Sequence, residues 1–239
     1  YSSMFLLPLY MQELLNFPAM KSGLVLMPRS LVMLVLMPVV GAAYNYLGPK
    51  IMIGSGLLIA GMAPMMMSRF TLTSGGMELF WPQVIQGIGF VLIFVALSTT
   101  ALSGIDRPKM TSATGLYNLV RQLGGSFGTA IFATMLASMQ QSNHAVLAQH
   151  VNPYNPAFVQ RLQMLQQGFM AQGIDAWNAR AKAMAVIDGI VSQQATMLAF
   201  ERSFFMIGAL FFLCLPLVFL LKAAPTQRVP ASHAEPVEV

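Results

Sequence analysis

Charged residues are scarce in this sequence. Only 13 Lys and Arg and 8 Asp and Glu occur among 239 residues, a charged share of 9%, against about 25% in a typical soluble domain. Apolar residues reach 56%, and the mean hydropathy is +0.65. This balance disfavours a soluble enzyme, a disordered regulator and a nucleic-acid-binding protein. The positive charges form no basic patch, so their placement fits membrane orientation better than a nucleic-acid partner.

Cysteine is almost absent, and histidine is rare. The one cysteine, Cys214, lies within the apolar run 211–221, and the histidines are at positions 144, 150 and 233. A disulfide framework is therefore excluded. Since no cysteine or carboxylate cluster accompanies the histidines, neither a metal site nor a cofactor is expected. No nucleophile and base stand in a pattern typical of an enzyme.

Apolar runs with very few charges recur along the chain. A helix needs about 20 apolar residues to cross a hydrocarbon core about 30 Å thick, and turn signals separate the runs. The sequence predicts an all-α membrane protein, with a six-helix bundle over residues 1–223 and a tail over 224–239. The predicted spans are 1–13, 23–46, 51–68, 80–103, 114–138 and 202–223. The first run looks cut into, so we expect the chain to be a fragment of a longer protein.

Short-loop Lys and Arg residues predict the orientation of the bundle. If the spans alternate, one side holds Lys50, Arg107, Lys109, Lys222 and Arg228. The opposite short loops hold only Lys21 and Arg69, with Arg202 at a helix end. The positive-inside rule makes the first side cytoplasmic, together with the carboxy-terminal tail. The long segment 140–201 is then expected on the outer side.

This outer segment, 140–201, has two amphipathic helix patterns and is not a seventh span. Its apolar side chains recur at helical spacing, at Phe158, Leu162, Leu165 and Phe169 and again over residues 184–198. Two interpretations remain open. The segment is a cap resting on the bundle or the lipid surface, or it is a docking surface for a partner protein.

Two arginines fall inside predicted spans. Arg29 lies in the second span and Arg121 in the fifth, with Asn118 three residues earlier on the same helix face. An intramembrane charge is a functional candidate by default. The alternative is that each arginine snorkels to its nearer interface or bonds backbone carbonyls.

Small residues mark two helices for close packing. Gly124 and Gly128 form a GxxxG pair, with Gly125 and Thr129 beside it. Small residues at this spacing let a neighbouring helix approach closely. In the fourth span, Gly87 and Gly89 follow two glutamines, Gln83 and Gln86. Both groups are either packing contacts or sliding surfaces of a transport cycle.

Acidic residues are missing from the middle of every predicted span. Glu13, Glu78, Asp106 and Glu201 all lie at span ends. A proton relay needs a titratable group within the membrane. If the complete protein is proton-coupled, its proton carrier therefore comes from residues that this sequence does not contain.

The segment 41–50, GAAYNYLGPK, resembles the loop motif G-x-L-a-D-r-x-G-r-k of the major facilitator superfamily. Gly41, Gly48 and Lys50 match the motif, whereas Asn45 replaces its aspartate and Pro49 a basic residue. The segment lies between the second and third predicted helices, as the family pattern requires. A weakened copy of this kind is usual in the second half of such transporters.

Residues 116–131, LYNLVRQLGGSFGTAI, resemble the penultimate helix of the fourteen-spanner drug:proton antiporters, the EmrB/QacA-like branch of that superfamily. The segments 26–29 (LMPR) and 86–89 (QGIG) and the long outer loop are similar to that branch too. Gln83 stands where the first half would carry an arginine. The resemblance therefore indicates the carboxy-terminal half.

The resemblance implies a six-helix half of a major facilitator fold, with inverted 3+3 repeats, a midplane cavity and an amphipathic helical periplasmic loop. It also implies multidrug efflux of lipophilic compounds through the inner membrane by alternating access, driven by the proton gradient. The expected partners are the lipid bilayer, a small lipophilic substrate and a missing amino-terminal half; some Gram-negative members add a periplasmic adaptor. The candidates for the cavity or its gates are then Arg29, Gln86, Asn118, Arg121 and Gln122. The candidates for helix packing are Gly87, Gly89, Gly124, Gly125 and Gly128. A cytoplasmic latch is expected at Gly41, Asn45, Gly48 and Lys50.

Two other functions stay open on the residues alone: a non-transporting six-helix scaffold or partner subunit, and a homodimeric six-helix transporter. Polar side chains inside the membrane argue against a passive scaffold, because burying them is costly. The charge of the substrate is open too. Two arginines and no buried acid leave room for an anionic or weakly acidic compound.

Overall fold

All regular secondary structure in the described part of the chain is helical, as predicted. A computed structural model describes residues 1–72, 74–149, 152, 154 and 156–220. A short 3-10 helix at Arg107–Lys109 precedes the fourth α-helix. The α-helices are α1 (Ser2–Glu13), α2 (Ala19–Met67), α3 (Gly76–Leu102), α4 (Met110–Ala148), α5 (Pro156–Ala171), α6 (Ala176–Leu213) and α7 (Leu215–Leu220).

Helix α2 reverses direction at Gly48. Its 49 residues would extend about 74 Å as one straight helix, more than twice the hydrocarbon core. Gly48 instead has φ +74° and ψ 161°, a conformation open to glycine, which lacks a Cβ atom. The first arm of α2, residues 19–47, and the second arm, 49–67, therefore lie side by side, with Val40 and Ile53 in one apolar cluster. The reversal falls between the second and third predicted spans.

Helix α3 packs parallel to the first arm of α2. The contacts run in the same order along both helices, because Gly87 lies against the carbonyl of Arg29 while Tyr44 shares a hydroxyl hydrogen bond of 3.1 Å with Thr100. This parallel pairing brings the middle of the second predicted span level with the middle of the fourth.

The second arm of α2 packs antiparallel to α3, and glycines form the closest contacts. A Cβ atom at Gly89 would lie 2.7 Å from the Cα atom of Ala60. A Cβ atom at Gly56 would lie 2.8 Å from the Cγ1 atom of Ile93. Side chains at either glycine would hold the helices apart.

The bundle has two distinct ends. One apolar cluster joins Val40, Met52 and Val218 near the Gly48 turn. The other joins residues of α1, α4 and α6 to Met67 and Phe70 at the opposite end. Helix α4 passes this second cluster at Leu136 and continues to Ala148, away from Lys50. The predicted placement of the basic turns and of the segment 140–201 on opposite sides of a membrane stays a prediction.

The segment 140–201 contains the end of α4, the whole of α5 and the first part of α6. Helix α6 continues without a break from Ala176 to Leu213, so no boundary separates the outer segment from the last predicted span at residue 202. From Ala176 to Glu201 the helix rises about 39 Å. The predicted apolar face of α5 packs against α6, through Leu162 and Ile187. Among the described residues α5 contacts α6 alone.

Buried and exposed polar contacts hold α4 against this part of α6. The side-chain amide of Asn143, which is buried, donates from Nδ2 to the carbonyl of Ala195 at 3.2 Å. Nη1 of Arg202 donates to the Oδ1 atom of Asn143 at 3.5 Å. His144 and Asp188 lie 3.3 Å apart on the surface. The carboxy-terminal part of α4 and the amino-terminal part of α6 therefore lie side by side.

Within the described residues, three helices are long and apolar enough to cross a membrane. They are Ala19–Met67, Met77–Leu102 and Ala176–Val218, and because α2 is divided at Gly48 they contain four of the six predicted spans. The predicted spans 1–13 and 114–138 lie in α1, which has 12 residues, and in the more polar α4. The six-span count stays a prediction. The tail 224–239 lies outside the described residues.

Candidate functional site

Arg29 is buried inside the helix bundle. Only 5% of its surface is exposed, so it does not reach an interface as a snorkelling arginine would. Its Nη1 atom donates a hydrogen bond of 3.3 Å to the Oε1 atom of Gln86. Its guanidinium carbon lies 5.6 Å from the ring centre of Phe90. Its Nε atom is buried with no hydrogen-bond partner among the described residues.

Gln86 connects Arg29 to the first helix. The Nε2 atom of Gln86 donates to the Oγ atom of Ser3 at 2.6 Å, so a polar relay crosses from α2 through α3 to α1. Glycine next to Gln86 permits this geometry, since a Cβ atom at Gly87 would lie 3.0 Å from the carbonyl oxygen of Arg29. The close approach of the two backbones brings the side chains of Arg29 and Gln86 within hydrogen-bond distance of each other.

One turn earlier on α3, Gln83 is completely buried. Neither polar atom of its amide has a hydrogen-bond partner within the described part of the chain. A buried amide without partners is destabilising, because it has lost its hydrogen bonds to water. Gln83 therefore stands apart from the satisfied relay at Gln86.

Arg29 and Gln86 line a cavity of about 240 Å³, here called the Arg29 cavity. Five helices contribute to it: α1, α2, α3, α4 and α6. Its remaining walls are mostly apolar, and its lining contains no Asp or Glu. The lining residues are Tyr1, Ser2, Ser3, Arg29, Leu57, Ala60, Gln86, Phe90, Ile93, Phe132, Ile207, Leu210, Phe211 and Cys214.

Arg121 lines a neighbouring cavity of about 290 Å³, the Arg121 cavity. Its guanidinium carbon lies 5.2 Å from the ring centre of Phe94 and 5.9 Å from that of Tyr117, distances at which aromatic faces attract a cation. Its Nε atom is buried and, within the described residues, unpartnered. Three residues, Tyr1, Phe90 and Ile93, line both cavities. The two predicted arginines therefore face adjoining spaces.

Asn118 and Gln122 do not join Arg121. Both are exposed, whereas Arg121 is partly buried. The residue that meets the guanidinium is Tyr117, one turn earlier on α4, since a step of four residues keeps the same face as well as a step of three. Tyr117 was not among the predicted site residues.

The small residues of α4 contact α1 in a different register from the predicted pair. A Cβ atom at Gly125 would lie 2.7 Å from the Cδ2 atom of Tyr1, and one at Gly128 would lie 3.6 Å from the Oγ atom of Ser2. Gly124, however, has nothing within 4 Å of its Cβ position among the described residues. The close contact therefore runs through Gly125 and Gly128.

The loop-motif residues lie at the Gly48 end of the bundle. Asn45 and Lys50 are exposed, and no described atom lies within 4 Å of a Cβ atom at Gly41. The left-handed φ of Gly48 makes the turn itself. The side chain that ties this end to α3 is Tyr44, which lies within the motif segment but was not among the predicted latch residues.

Several lining residues could not be inferred from the sequence. Ser3 is 83 positions from Gln86, and no local pattern links them. Phe90 could have been inferred from the sequence, because it follows the candidate Gln86 by four residues and therefore lies on the same helix face. No group of three His, Cys, Asp or Glu side chains able to hold a metal ion occurs in the described residues.

Comparison with known proteins agrees with this helical architecture. Residues 1–129, more than half of the chain, match the Major Facilitator Superfamily. The chain belongs to this superfamily. It is accordingly a multi-pass membrane protein of a transporter family and not an enzyme.

Similar proteins confirm the resemblance to EmrB-like export proteins. The chain is 28% identical to the multidrug export protein EmrB of Escherichia coli (strain K12), over 93% of this chain and 42% of that protein. It is 25% identical to the colistin resistance protein EmrB of Acinetobacter baumannii, over 89% and 41%. It is 24% identical to the fatty acid resistance protein FarB of Neisseria gonorrhoeae, over 91% and 41%. The chain spans about two fifths of the length of these relatives.

Proposed function

We propose that this chain forms the carboxy-terminal six-helix half of a transporter that exports lipophilic compounds by alternating access, with the proton gradient as its energy source. The observation that carries the proposal is the Arg29 cavity. A buried arginine linked to Gln86 lines a mostly apolar cavity to which five helices contribute. Such a charge is expensive to bury, and transporters use intramembrane charges to handle cargo.

The relatives support an export function. Their names describe multidrug export, colistin resistance and fatty acid resistance, which are outcomes that an exporter of varied lipophilic compounds produces. A non-transporting scaffold, the first alternative, has no need of a cavity lined by a buried charge. A homodimer of six-helix chains, the second, would use the same cavity, and the length of the gene product separates it from a half-transporter.

In the proposed cycle, α1 and α4 close against each other through Gly125 and Gly128, where a lack of side chains permits a close contact. Arg121, at that level of α4, changes its exposure as the contact opens and closes. The exposed side of α4 that carries Asn118 and Gln122 faces the missing amino-terminal half. Since neither cavity lining contains Asp or Glu, the proton carrier lies in that half.

At the Gly48 end, Asn45, Gly48 and Lys50 form part of a cytoplasmic latch between helices. The proposed orientation follows from the basic residues of this end and of the turn at residues 107–109. The carboxy terminus is then cytoplasmic, the membrane is the inner membrane, and α4, α5 and α6 project into the periplasm. A projection of about 39 Å along α6 clears the lipid headgroups, which suits a periplasmic adaptor as partner.

The test is an accumulation assay on the full-length protein in cells without competing exporters, using cationic and anionic dyes, with and without a protonophore. We expect dye accumulation to fall when the protein is expressed and to recover with the protonophore. Arg121→Ala should abolish export while the protein remains inserted, because the guanidinium between Phe94 and Tyr117 is lost. Arg69→Ala, at an exposed arginine, is the matched control.

Export at the wild-type rate by Arg121→Ala would remove Arg121 from the mechanism. Absence of export of every dye by the full-length protein would contradict the transporter proposal and favour the scaffold.

A further inference from the structure

A groove of about 360 Å³ opens at the end of the bundle opposite the Gly48 turn, and is here called the Arg69 groove. It lies between the end of the second arm of α2, the loop that follows and the first turns of α3. Its volume falls within the range of ligand pockets, about 300–1,000 Å³. The groove shares no lining residue with the Arg29 cavity or the Arg121 cavity, so it is separate from the proposed transport path.

Two opposite charges face the Arg69 groove without pairing. Arg69 and Glu78 both line it, and both side chains are exposed. Among the described residues, the one contact within ion-pair distance joins His144 to Asp188, so Arg69 and Glu78 do not neutralise each other across the groove. A cation alone would meet the charge of Arg69, and an anion alone would meet that of Glu78. A ligand that carries both charges satisfies both side chains.

The loop between the two charges is held in place. The hydroxyl of Tyr10 donates to the carbonyl of Thr71 at 2.9 Å, and the backbone N–H of Thr71 donates to the Oγ atom of Ser74 at 2.9 Å. The ring of Tyr10 also stacks on Phe70, with 5.8 Å between the ring centres. Thr71, Ser74 and Phe70 all line the groove. Its shape is therefore set before a ligand binds, which lowers the entropy lost on binding.

The groove lies at the boundary between hydrocarbon and headgroups. One apolar helix that can cross a membrane ends at Met67, and the next begins at Met77, on either side of the groove. Met66 and Trp81 line it with exposed fractions of 39% and 58%. Tryptophan is enriched at membrane interfaces, where its apolar ring and polar N–H meet both environments. A ligand here therefore has its polar part at the charges and its apolar part against exposed side chains of the spans.

We infer that the Arg69 groove binds one zwitterionic aminophospholipid, with its phosphate at Arg69 and its primary ammonium at Glu78. The guanidinium fork matches two phosphate oxygens, and the carboxylate accepts hydrogen bonds from the ammonium. One acyl chain lies along Met66 and Trp81. Under the proposed orientation this lipid belongs to the outer leaflet. The inference does not depend on the transport proposal, because the groove lies outside both cavities.

The test is native mass spectrometry of the purified full-length protein in detergent. Dioleoyl phosphatidylethanolamine, phosphatidylcholine and phosphatidylglycerol are added at equal mole fractions, so the ligands share their acyl chains and differ in headgroup. We expect the first bound lipid to be phosphatidylethanolamine, by about threefold over each of the others, which is the size of effect that one exposed charge interaction produces. Phosphatidylcholine lacks the ammonium N–H groups, and phosphatidylglycerol lacks the cation.

Substitutions at the two charges separate the parts of the headgroup. Glu78→Gln should abolish the preference for phosphatidylethanolamine over phosphatidylglycerol, whereas Arg69→Gln should lower the binding of all three lipids. The matched controls are Glu13→Gln and Lys21→Gln, since both side chains are exposed at the same end of the bundle and neither lines the groove. Both controls should keep the wild-type preference. All four changes are at exposed side chains, and a monodisperse elution profile checks that each variant is folded.

The inference is overturned if Glu78→Gln keeps the wild-type preference, or if Arg69→Gln binds the three lipids as the wild type does. Equal binding of phosphatidylglycerol and phosphatidylethanolamine to the wild type would reduce the site to an anion contact at Arg69 and would also overturn it. Soluble glycerophosphoethanolamine, added in excess, should leave the lipid bound. Its displacement of the lipid at equal concentration would assign the groove to a free zwitterion and not to a phospholipid. None of these results bears on dye export, which tests the transport proposal separately.

Discussion

Replacing Gly89 by alanine tests the closest approach between α2 and α3. The added Cβ atom would lie 2.7 Å from the Cα atom and 2.8 Å from the Cβ atom of Ala60. Carbon atoms in favourable contact are about 3.5–4.0 Å apart, so the helices would have to separate by roughly 1 Å. The obstacle is backbone and a methyl group, and no rotamer change can remove it.

The structure also sets the magnitude of this effect. Overpacking a well-packed core costs about 1–3 kcal/mol, and two other glycine contacts would be disturbed by the same separation. Gly56 lies against Ile93, and Gly87 lies against the carbonyl of Arg29. We therefore expect Gly89→Ala to lower the free energy of unfolding by at least about 2 kcal/mol, toward the upper part of that range.

The assay is thermal unfolding of the full-length protein in detergent, followed by the fraction that remains monodisperse. Gly23→Ala is the matched control, because Gly23 lies in the first arm of α2, is exposed, and has no described atom within 4 Å of its Cβ position. The control should be neutral or slightly stabilising, since alanine favours helix over glycine by about 1 kcal/mol. Equal unfolding temperatures for Gly89→Ala and the wild type would refute the close packing described here.

Two further predictions concern single polar side chains. Gln83→Leu should raise the unfolding temperature of the full-length protein, because it removes a buried amide without described partners that costs about 1–3 kcal/mol; a lower temperature would show that the amide has a partner in the complete protein. Hydrogen bonds from the side chain and the backbone N–H of Asn178 hold the pKa of the Asp175 carboxyl below its ordinary value. This cap therefore stabilises the start of α6 at pH values above the unfolded pKa of about 3.9. The stabilisation is lost as the pH falls through the lower pKa of the folded state. Asp175→Ala should therefore speed amide hydrogen exchange at residues 176–180 at pH 7, whereas Asp175→Asn, which keeps an acceptor, should remove only the pH dependence; unchanged exchange in Asp175→Ala would contradict the cap.

The helical architecture was predictable because its signals are local. Apolar runs of about 20 residues separated by turn signals indicate membrane helices from composition alone. The reversal at Gly48 was predictable too. Glycine is common just after the end of a helix, and proline, here Pro49, is common at the first position of the next helix. The pairing of Arg29 with Gln86 could be anticipated only in part: both were site candidates, and their contact depends on the parallel packing of α2 and α3.

Other features depend on long-range packing and left no local signal. Ser3 could not be connected to Gln86 across 83 residues. The choice of Tyr117 over Asn118 beside Arg121 depends on the rotation of α4, which a helical repeat does not fix. The same rotation turns Gly125 toward Tyr1 and leaves Gly124 open within the described chain. The sequence predicted a helical pattern over residues 184–198 and a separate span from residue 202, and it carried no signal that one helix, α6, continues through both.

The glycines of α3 illustrate why packing and cargo handling cannot be separated in this bundle. The sequence left two roles open for Gly87 and Gly89, helix packing or a sliding surface. A Cβ atom at Gly89 would collide with backbone atoms of Ala60, and one at Gly87 would lie 3.0 Å from the carbonyl oxygen of Arg29. The Arg29–Gln86 hydrogen bond of 3.3 Å lies beside this contact. Sliding by one residue, about 1.5 Å, would bring side chains against the glycines and break that hydrogen bond. The α2–α3 contact therefore favours the packing role for these two glycines, and it supports Arg29 beside Gln86.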